Sequence, residues 1–154
     1  MEQEDSKTRR FCDCSEAVIG ACIEVHRHLG QGLLESVYEE CVARELALRG
    51  LRFERQVPVP LVYKGVDLAC GYRIDILVEG ALVLEIKAVE GLLRIHQAQV
   101  LTYLKLAKLR LGLLVNFRET LLKNGLRRMI LFPRLREFEQ EDTKTRRILG
   151  WAHA

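Results

Sequence analysis

The sequence predicts an α/β domain in which helices flank a central mixed β-sheet. Two stretches with apolar residues at helical spacing come first, strand-like stretches fill the middle, and one more helical stretch precedes the last two predicted strands. This order of two helices, three strands, a helix and two strands fits an α/β sandwich. The 154 residues are 49% hydrophobic, which suits one core better than two.

The domain itself is predicted to span residues 13–132, between a polar tail at 1–12 and a charged tail or helix at 133–154. The chain starts with a polar segment that no apolar segment follows, and no later segment runs to eighteen uncharged apolar residues. We therefore expect a soluble cytoplasmic protein without a membrane partner. A net charge of +3 neither requires nor excludes a polyanionic partner. The near repeat of EDSKTRR at 4–10 as EDTKTRR at 141–147 has no physical account.

Three helices are predicted from apolar stripes. The first carries four residues at helical spacing with two isoleucines beside them, namely Val18, Cys22, Val25, Leu29, Ile19 and Ile23. Asp13 to Glu16 resembles a capping box at its start, and Gly30 ends it. The second follows the turn GQG and ends before Gly50, with a stripe of Leu34, Val37, Tyr38, Cys41, Val42 and Leu46. The third, at about 93–107, is predicted to pack four residues inward: Ile95, Ala98, Leu101 and Leu104.

Strands are predicted in five segments, which in chain order are 52–64, 71–78, 81–88, 109–117 and 128–132. The first alternates apolar and polar side chains among prolines, which is typical of an edge strand. The second and third form a hairpin joined near Glu79 and Gly80. The fourth is continuously apolar, as a buried strand is, and the fifth is short.

Five cysteines occur in the chain, at positions 12, 14, 22, 41 and 70. An odd number without a secretory signal argues for reduced thiols rather than a disulfide framework. Cys12, Cys14 and Cys22 could form a metal cluster, but they lack the paired C-x2-C spacing of zinc sites. Cys22 and Cys41 lie on apolar helix faces and are interpreted as small core residues.

Three charged residues interrupt the apolar hairpin RIDILVEGALVLEIKAVEG: Asp75, Glu85 and Lys87. Glu85 and Lys87 lie two residues apart and must project from the same face of their strand. Asp75 joins them only if opposing residue numbers in the hairpin sum to an even value, as with a three-residue loop containing Gly80. An odd sum would place Asp75 on the other face.

Two interpretations of these charges stay open at this point. Two nearby carboxylates repel each other when ionised, and a hard cation such as Mg²⁺ relieves the repulsion with oxygen ligands. A lysine beside the metal could orient or deprotonate a water and balance charge on an attacked phosphate. The alternative is an ion pair between the acids and the lysine on a partly exposed sheet face, which is common on strands.

Polar residues on two helices bear on this choice. In the third helix, His96, Gln99 and Tyr103 share one stripe that is distinct from the predicted packing face. Such a stripe suits a polar ligand, and it equally suits a helix that faces solvent. Glu35 and Tyr38 lie one turn apart at the entrance of the second helix, where the helix dipole favours a carboxylate in any case.

Taken together, these segments resemble the PD-(D/E)XK nuclease superfamily, and within it the small GxxExxY family. GLLESVY at 32–38 matches the motif of that family, and further blocks resemble it from about residue 25 to 131, among them RIDILVEGALVLEIKAVE and HQAQVLTYLKL. The resemblance implies a restriction-endonuclease-like core. One departure is Ile74, which stands where the superfamily's name has proline.

The resemblance also implies roles for the candidate residues. The metal-holding set for Mg²⁺ or Mn²⁺ would be Asp75, Glu85, the backbone carbonyl of Ile86 and Glu35. Lys87 would serve the hydrolytic water. Gln99 and Tyr103 look like the Q-x-x-x-Y element of the RecB-like branch, which helps to place DNA and the catalytic groups. Tyr38 and His96 would support them.

We therefore expect a Mg²⁺- or Mn²⁺-dependent nuclease that hydrolyses phosphodiester bonds of DNA with a metal-activated water. Contacts to DNA are expected from basic residues, namely Arg94, Lys105, Lys108, Arg127 and Arg128. One alternative is a non-catalytic nuclease-fold module that binds nucleic acid or protein. A weaker alternative is an assembly protein in which the acids pair with lysine or arginine. A homodimer or a partner protein would supply recognition in so small a chain.

Overall fold

The computed structural model of the protein describes residues 13–69 and 71–132. The predicted tails at 1–12 and 133–154 lie outside these residues, as do both copies of the near repeat. The described part contains three helices, seven strands and one 3₁₀ turn, in this order: α1 (Ser15–Leu29), α2 (Glu35–Leu48), β1 (Phe53–Pro58), β2 (Leu61–Tyr63), β3 (Val66–Leu68), β4 (Arg73–Val78), β5 (Leu82–Lys87), α3 (Arg94–Ala107), β6 (Leu111–Asn116), the 3₁₀ turn (Leu122–Gly125) and β7 (Leu126–Ile130).

Five of these strands form one mixed sheet in the order β1-β4-β5-β6-β7. β5 and β6 run parallel with α3 as the crossover between them, whereas the other neighbouring pairs are antiparallel. The predicted α/β class with a mixed central sheet flanked by helices is confirmed. Among the described residues, no helix has the length and apolar character needed to span a membrane.

The register of the β4–β5 hairpin is the even one. Ile76 pairs with Leu84 and Val78 with Leu82, so opposing numbers sum to an even value across a loop centred on Gly80. Of the two registers left open by the sequence, the structure has the one that places Asp75 opposite Glu85 on the same side of the hairpin. A three-residue loop of this kind needs positive φ values, which Glu79 at 53° and Gly80 at 61° supply.

The segment 52–64 forms two strands rather than the single edge strand that the alternation predicts. β1 is an edge strand because it pairs with β4 alone, but β2 pairs with β3 in a separate two-stranded hairpin. Proline has no N–H to continue a ladder, and Pro58 and Pro60 stand where β1 stops. Tyr63, predicted on the apolar side of one long strand, is consequently 60% exposed. The last strand, β7, begins two residues before the predicted segment and ends two residues earlier.

Apolar residues cover both faces of the sheet. On one face, residues of α1 and α2 pack against sheet residues. The helix residues include Val18, Cys22, Tyr38, Val42 and Leu46, and the sheet residues include Ile76, Leu84, Ile86, Leu113 and Val115. On the other face, α3 packs against a smaller cluster, including Val59, Ile74, Val83, Val100, Tyr103, Leu104 and Leu114. The site therefore lies on a sheet held from both sides.

Several predicted stripe residues of α1 and α2 are not in the core. Leu29 is 41% exposed at the end of α1, and Ile23 is 44% exposed. Leu34 directly precedes α2 and is 73% exposed, while Val37 faces away from the sheet at 39% exposure. Apolar residues at helical spacing cover more of the circumference than one sheet face can bury, so the outer members of a wide stripe stay in solvent.

The inward face of α3 also differs from the predicted one. Ile95 is 67% exposed and Ala98 is exposed, whereas Val100, Tyr103 and Leu104 are buried. Leu104 was placed correctly, and Leu101 is partly buried. The helix is rotated toward its polar stripe because a glycine in β6 allows Val100 to approach and because Tyr103 reaches the site described below.

The ends of the first two helices compare differently with the prediction. Asp13 accepts a hydrogen bond from the N–H of Ser15 at 2.9 Å, but no bond from Glu16 back to Asp13 occurs in the described chain, so the predicted capping box is incomplete. Gly50 does follow α2 as predicted, with a φ of 73°, and its N–H donates to the carbonyl of Ala47.

Two cysteines of the described chain bear on the prediction of core thiols. Cys22 is fully buried, and burial raises its pKa to about 12, so the thiol stays protonated. Cys41 is partly buried and packs against the same core. Cys12 and Cys70 lie outside the described residues, so the cluster with Cys12 stays a prediction.

Candidate functional site

The backbone ladder between β4 and β5 opens where the predicted acids lie. Pairing stops at Ile76 and Leu84, and beyond them side chains replace the missing backbone partners. The Asp75 carboxylate accepts the N–H of Ile86 at 2.9 Å, and the Glu85 carboxylate accepts the N–H of Asp75 at 3.1 Å. The two acids are thus cross-bonded at the mouth of a split in the sheet.

Burial and mutual repulsion perturb both acids. Burial raises the pKa of Asp75, and the charge of Glu39 raises it further, against the Ile86 N–H, which lowers it. Glu85 is only 2% exposed, and burial together with the Asp75 charge raises its pKa to about 8. The two carboxyl groups lie within hydrogen-bond reach of each other, so a proton on Glu85 can bridge them.

Lys87 lies beside these acids without pairing with them. Its charge lowers the pKa of both Asp75 and Glu85, which places its ammonium in their neighbourhood. In the part of the chain that the structure describes, Lys87 takes part in no salt bridge and no side-chain hydrogen bond. The geometry therefore gives no support to the interpretation of these three charges as a simple ion pair.

The GxxExxY-like segment builds the turn into α2. Gly32 has a φ of 99°, a conformation that side-chain-bearing residues rarely adopt. The Tyr38 hydroxyl donates to the carbonyl of Gly30 at 2.5 Å and accepts from the N–H of Leu33 at 3.3 Å. This pinned turn delivers Glu35, whose carboxylate accepts the N–H of Ala88 just past Lys87 at 3.3 Å. Tyr38 is buried, so its part in the site is to hold the turn.

Two residues near Asp75 were absent from the sequence-based site. Glu39 is 8% exposed, and the Gln56 side-chain amide donates to both of its carboxylate oxygens, at 3.1 and 3.0 Å. The same amide reaches the Asp75 carboxylate at 3.4 Å. Glu39 lies one turn after Glu35 and shares its helix face, a spacing that could have indicated it. Gln56 has a φ of 49°, a conformation with no sequence signal in a glutamine.

The polar stripe of α3 divides into two functions. Gln99 donates its side-chain amide to the hydroxyl of Tyr103 at 2.8 Å. Burial raises the pKa of Tyr103, and the charge of nearby Glu85 raises it further. His96 instead accepts the N–H of Leu93 at 2.9 Å and so caps the start of α3. The structure thus brings Gln99 and Tyr103 to the site and gives His96 a local contact.

The chain just past β5 is fixed by the end of β6. Asn116 is fully buried, donates to the carbonyl of Val89 at 2.8 Å and accepts the N–H of Val89 at 3.1 Å. The N–H of Phe117 donates to the carbonyl of Lys87 at 2.8 Å. These bonds hold the backbone that carries Lys87. No sequence pattern indicated the role of Asn116, because its partners lie 27 residues away in the chain.

The donor set fits a magnesium-like cation. Among residues 13–69 and 71–132, no three His, Cys, Asp or Glu side chains converge to hold a metal ion. Two crowded carboxylates, those of Asp75 and Glu85, are nevertheless sufficient, because Mg²⁺ commonly takes one or two protein carboxylates and completes its shell with water and phosphate oxygens. The N–H of Ile86 faces the split, and its carbonyl points the same way because both groups of a strand residue share one side.

The predicted DNA-contacting cations differ in their surroundings. Arg94, Lys105 and Lys108 are exposed on and just after α3 and form no salt bridge within the described chain. Arg127 donates to the backbone carbonyls of its own turn. Arg128 pairs with Asp13, which links β7 to the start of α1. Of the five predicted cations, the three on and just after α3 are therefore the ones whose charge is available to bind DNA phosphates.

Comparison with known proteins agrees with this fold. The model of the PD-(D/E)XK nuclease superfamily matches residues 12–129, which is most of the chain. No curated protein and no solved structure is significantly similar to the chain. The five-stranded mixed sheet flanked by helices is the restriction-endonuclease-like arrangement of that superfamily. The chain therefore belongs to the PD-(D/E)XK nuclease superfamily, whose members act on nucleic acids and generally use divalent metals.

Proposed function

We propose that the protein is a Mg²⁺- or Mn²⁺-dependent nuclease that hydrolyses phosphodiester bonds of DNA in the cytoplasm. The observation that carries the proposal is the split between β4 and β5. There backbone pairing stops and two carboxylates that repel each other when ionised lie side by side. Lys87 lies next to them and forms no salt bridge with any of the residues that the structure describes. Neutral acceptors such as asparagine and glutamine would satisfy the same two N–H groups without burying charge, so the presence of acids at both positions supports the proposal.

Asp75, Glu85 and the carbonyl of Ile86 would hold the metal. The cation would supply Lewis-acid activation of a water and charge neutralisation at the phosphate. In the protein alone, the same acids are held by the N–H groups of Asp75 and Ile86, so their positions are fixed before any ligand arrives. Such preorganisation avoids the cost of ordering the acids during binding.

Lys87 has the position of a group that serves the attacking water and balances charge on the phosphate. Its ammonium is not engaged by any acid of the described chain, so it is available to an incoming anion. The Tyr103 hydroxyl, which accepts a hydrogen bond from the Gln99 amide, would offer a further donor from α3. These two residues support our finer assignment to a RecB-like arrangement.

Glu35 and Glu39 would support the site from α2. Neither converges with Asp75 and Glu85 into a group of three acidic side chains around one metal position in the described part of the chain. Glu35 holds the N–H of Ala88 and so supports the backbone next to Lys87. Glu39 faces Asp75 across Gln56 and adds negative charge to the site. The pinned turn with Gly32 and Tyr38 supports our finer assignment to the GxxExxY family.

The proposal is tested by metal binding and DNA cleavage in the same samples. Calorimetry with Mg²⁺ and Mn²⁺ is performed on wild type, Asp75→Asn, Asp75→Ala and Lys87→Ala, and labelled DNA is then added. Asp75→Asn keeps an acceptor for the Ile86 N–H and should fold while losing metal affinity. Lys87→Ala should keep metal affinity and lose cleavage about 100-fold or more. Glu54→Ala, which removes an exposed acid of β1, is the matched control.

Each outcome separates the proposal from its alternatives. Metal-dependent cleavage that disappears in Asp75→Asn supports the nuclease. Metal binding by wild type without cleavage of DNA or RNA would contradict it and favour a non-catalytic binding module, alone or with a partner protein or second copy. If wild type binds no metal, the role of the acids is structural and the nuclease proposal is wrong.

A further inference from the structure

Tyr72 is an exposed aromatic residue directly before β4, at the edge of the site. Its ring is 42% exposed and meets the ring of Tyr103 edge-on, with 6.1 Å between centroids and an angle of 62°. Edge-to-face contact of this kind is a stable arrangement of two aromatic rings. Tyr72 is therefore the solvent end of an aromatic pair whose inner member is buried.

The inner member of the pair faces the acids. The charges of Glu85 and Asp75 both raise the pKa of Tyr103, and Tyr72 contributes in the same direction. Tyr72 also lies three residues before Asp75, roughly 10 Å along the chain. A nucleotide that adjoins a phosphate bound at Asp75 and Glu85 therefore comes within reach of the Tyr72 ring.

Tyr72 is also held in place by its backbone. The carbonyl of Tyr72 accepts the N–H of Val59 at 2.8 Å, and Val59 is buried in the cluster that contains Tyr103. The backbone that carries the ring is thus held by a hydrogen bond and is not a free loop tip. A rigid, half-exposed aromatic ring loses little conformational entropy when a flat ligand covers it.

We propose that Tyr72 is a base-stacking residue that binds an unpaired nucleobase next to the scissile phosphate. The inference rests on the proposed nuclease function and deepens it by naming the substrate class, which is single-stranded DNA or an unpaired end. In an intact duplex both faces of each base are covered by neighbouring base pairs, whereas an unpaired base has a face free for an aromatic ring. Stacking on aromatic side chains contributes substantially per base and tolerates any sequence.

The test measures stacking without cleavage. A single-stranded oligonucleotide carrying 2-aminopurine is titrated in EDTA with wild type, Tyr72→Ala, Tyr72→Trp and Tyr63→Ala, and its fluorescence reports stacking. Tyr72→Ala should raise Kd for the single strand about 10-fold, remove the quenching of 2-aminopurine and leave Kd for a blunt duplex unchanged. Tyr72→Trp should retain quenching. Tyr63→Ala, at the tip of the β2–β3 hairpin, is the matched control because Tyr63 is exposed without a contact to Tyr103.

Two results would overturn the inference. One is a Tyr72→Ala variant, folded by circular dichroism, whose Kd and quenching equal those of wild type. The other is equal binding of single strand and duplex by wild type without quenching. A parallel cleavage assay with Mg²⁺ keeps the two proposals apart. Cleavage by wild type with an unchanged KM in Tyr72→Ala would refute stacking alone, and absent cleavage with intact quenching would refute the nuclease alone.

Discussion

Glu85 is the most deeply buried acid among the described residues, and its burial has consequences for stability as well as chemistry. It is 2% exposed and has a pKa raised to about 8, whereas an ordinary glutamate in the unfolded chain has a value of 4.5. The folded metal-free protein therefore binds a proton that the unfolded chain releases between these two pH values. Its free energy of unfolding must fall as the pH rises through this window.

Glu85→Gln should remove this loss of stability. In EDTA, the variant should match wild type near pH 4.5 and exceed it by roughly 2 kcal/mol near pH 8.5, because no charge has to be buried. The amide can also donate to the Asp75 carboxylate. Urea unfolding at both pH values measures the difference, with Glu54→Gln as an exposed control. Parallel pH profiles for wild type and Glu85→Gln would contradict the assignment.

A site residue could be predicted from the sequence where local strand geometry sets its position, and could not where an unusual backbone conformation does. The shared face of Glu85 and Lys87 follows from strand alternation, a local property of the sequence, whereas the side of Asp75 depends on the hairpin register, which only the structure gives. Gln56 could not be found this way, because its amide reaches the acids only through a left-handed backbone that glutamine seldom adopts. A glutamine in a sequence does not indicate a left-handed backbone conformation.

At the level of elements, the position of α3 depends on a glycine in the strand beneath it. A Cβ at Gly112 of β6 would lie 2.7 Å from Val100 Cγ1 and 3.3 Å from Leu104 Cδ1. The helix can approach β6 closely because no side chain stands there. This approach brings the Tyr103 hydroxyl toward Glu85.

Gly112→Ala should therefore move α3 outward and damage the site without touching it. We expect a loss of roughly 1–3 kcal/mol in the free energy of unfolding, as for other overpacked cores. The cleavage rate should fall with it, since Tyr103 and Gln99 are displaced. Gly91→Ala is the matched control, because a Cβ there meets nothing within 4 Å. Equal stability and activity of the two variants would show that α3 does not depend on this contact.

The same contact explains which elements could be predicted. The β4–β5 hairpin was predictable as an element because a short loop with Gly80 joins two apolar stretches, but the sequence left its register open. The face of α3 was not, since Ile95 and Ala98 fit helical spacing as well as Val100 and Tyr103 do, and only the tertiary contact with Gly112 distinguishes them. Likewise, the hairpin of β2 and β3 depends on where the chain leaves the sheet after Pro58, which alternation alone cannot indicate.

At the scale of the whole molecule, the distribution of the positive charges matters more than the net charge. The net charge is only +3, and Arg27 on α1, Arg49 just after α2 and Arg55 on β1 each pair with acids. The cations of α3, in contrast, are exposed and form no salt bridge in residues 13–69 and 71–132. A polyanion should therefore be attracted to one side of the molecule.

Removing these cations should weaken DNA binding in a salt-dependent way. The triple variant Arg94→Gln, Lys105→Gln and Lys108→Gln should reduce the slope of log K against log salt by about 2–3, because each phosphate contact contributes about 0.7–0.9 to the slope. Fluorescence anisotropy at several salt concentrations measures it. Arg27→Gln, on α1 beside Glu24, should leave the slope unchanged. A triple variant with the slope of wild type would place the DNA elsewhere.

The cross-bonded acids also constrain how this protein can diverge. Asp75 and Glu85 each satisfy a backbone N–H that the opened ladder would otherwise leave without a partner. A copy of the gene released from selection for cleavage would still be selected for folding, and folding requires an acceptor at both positions. Inactive descendants should therefore carry asparagine or glutamine there rather than alanine, so the chemistry can be lost long before the polar pattern of the hairpin.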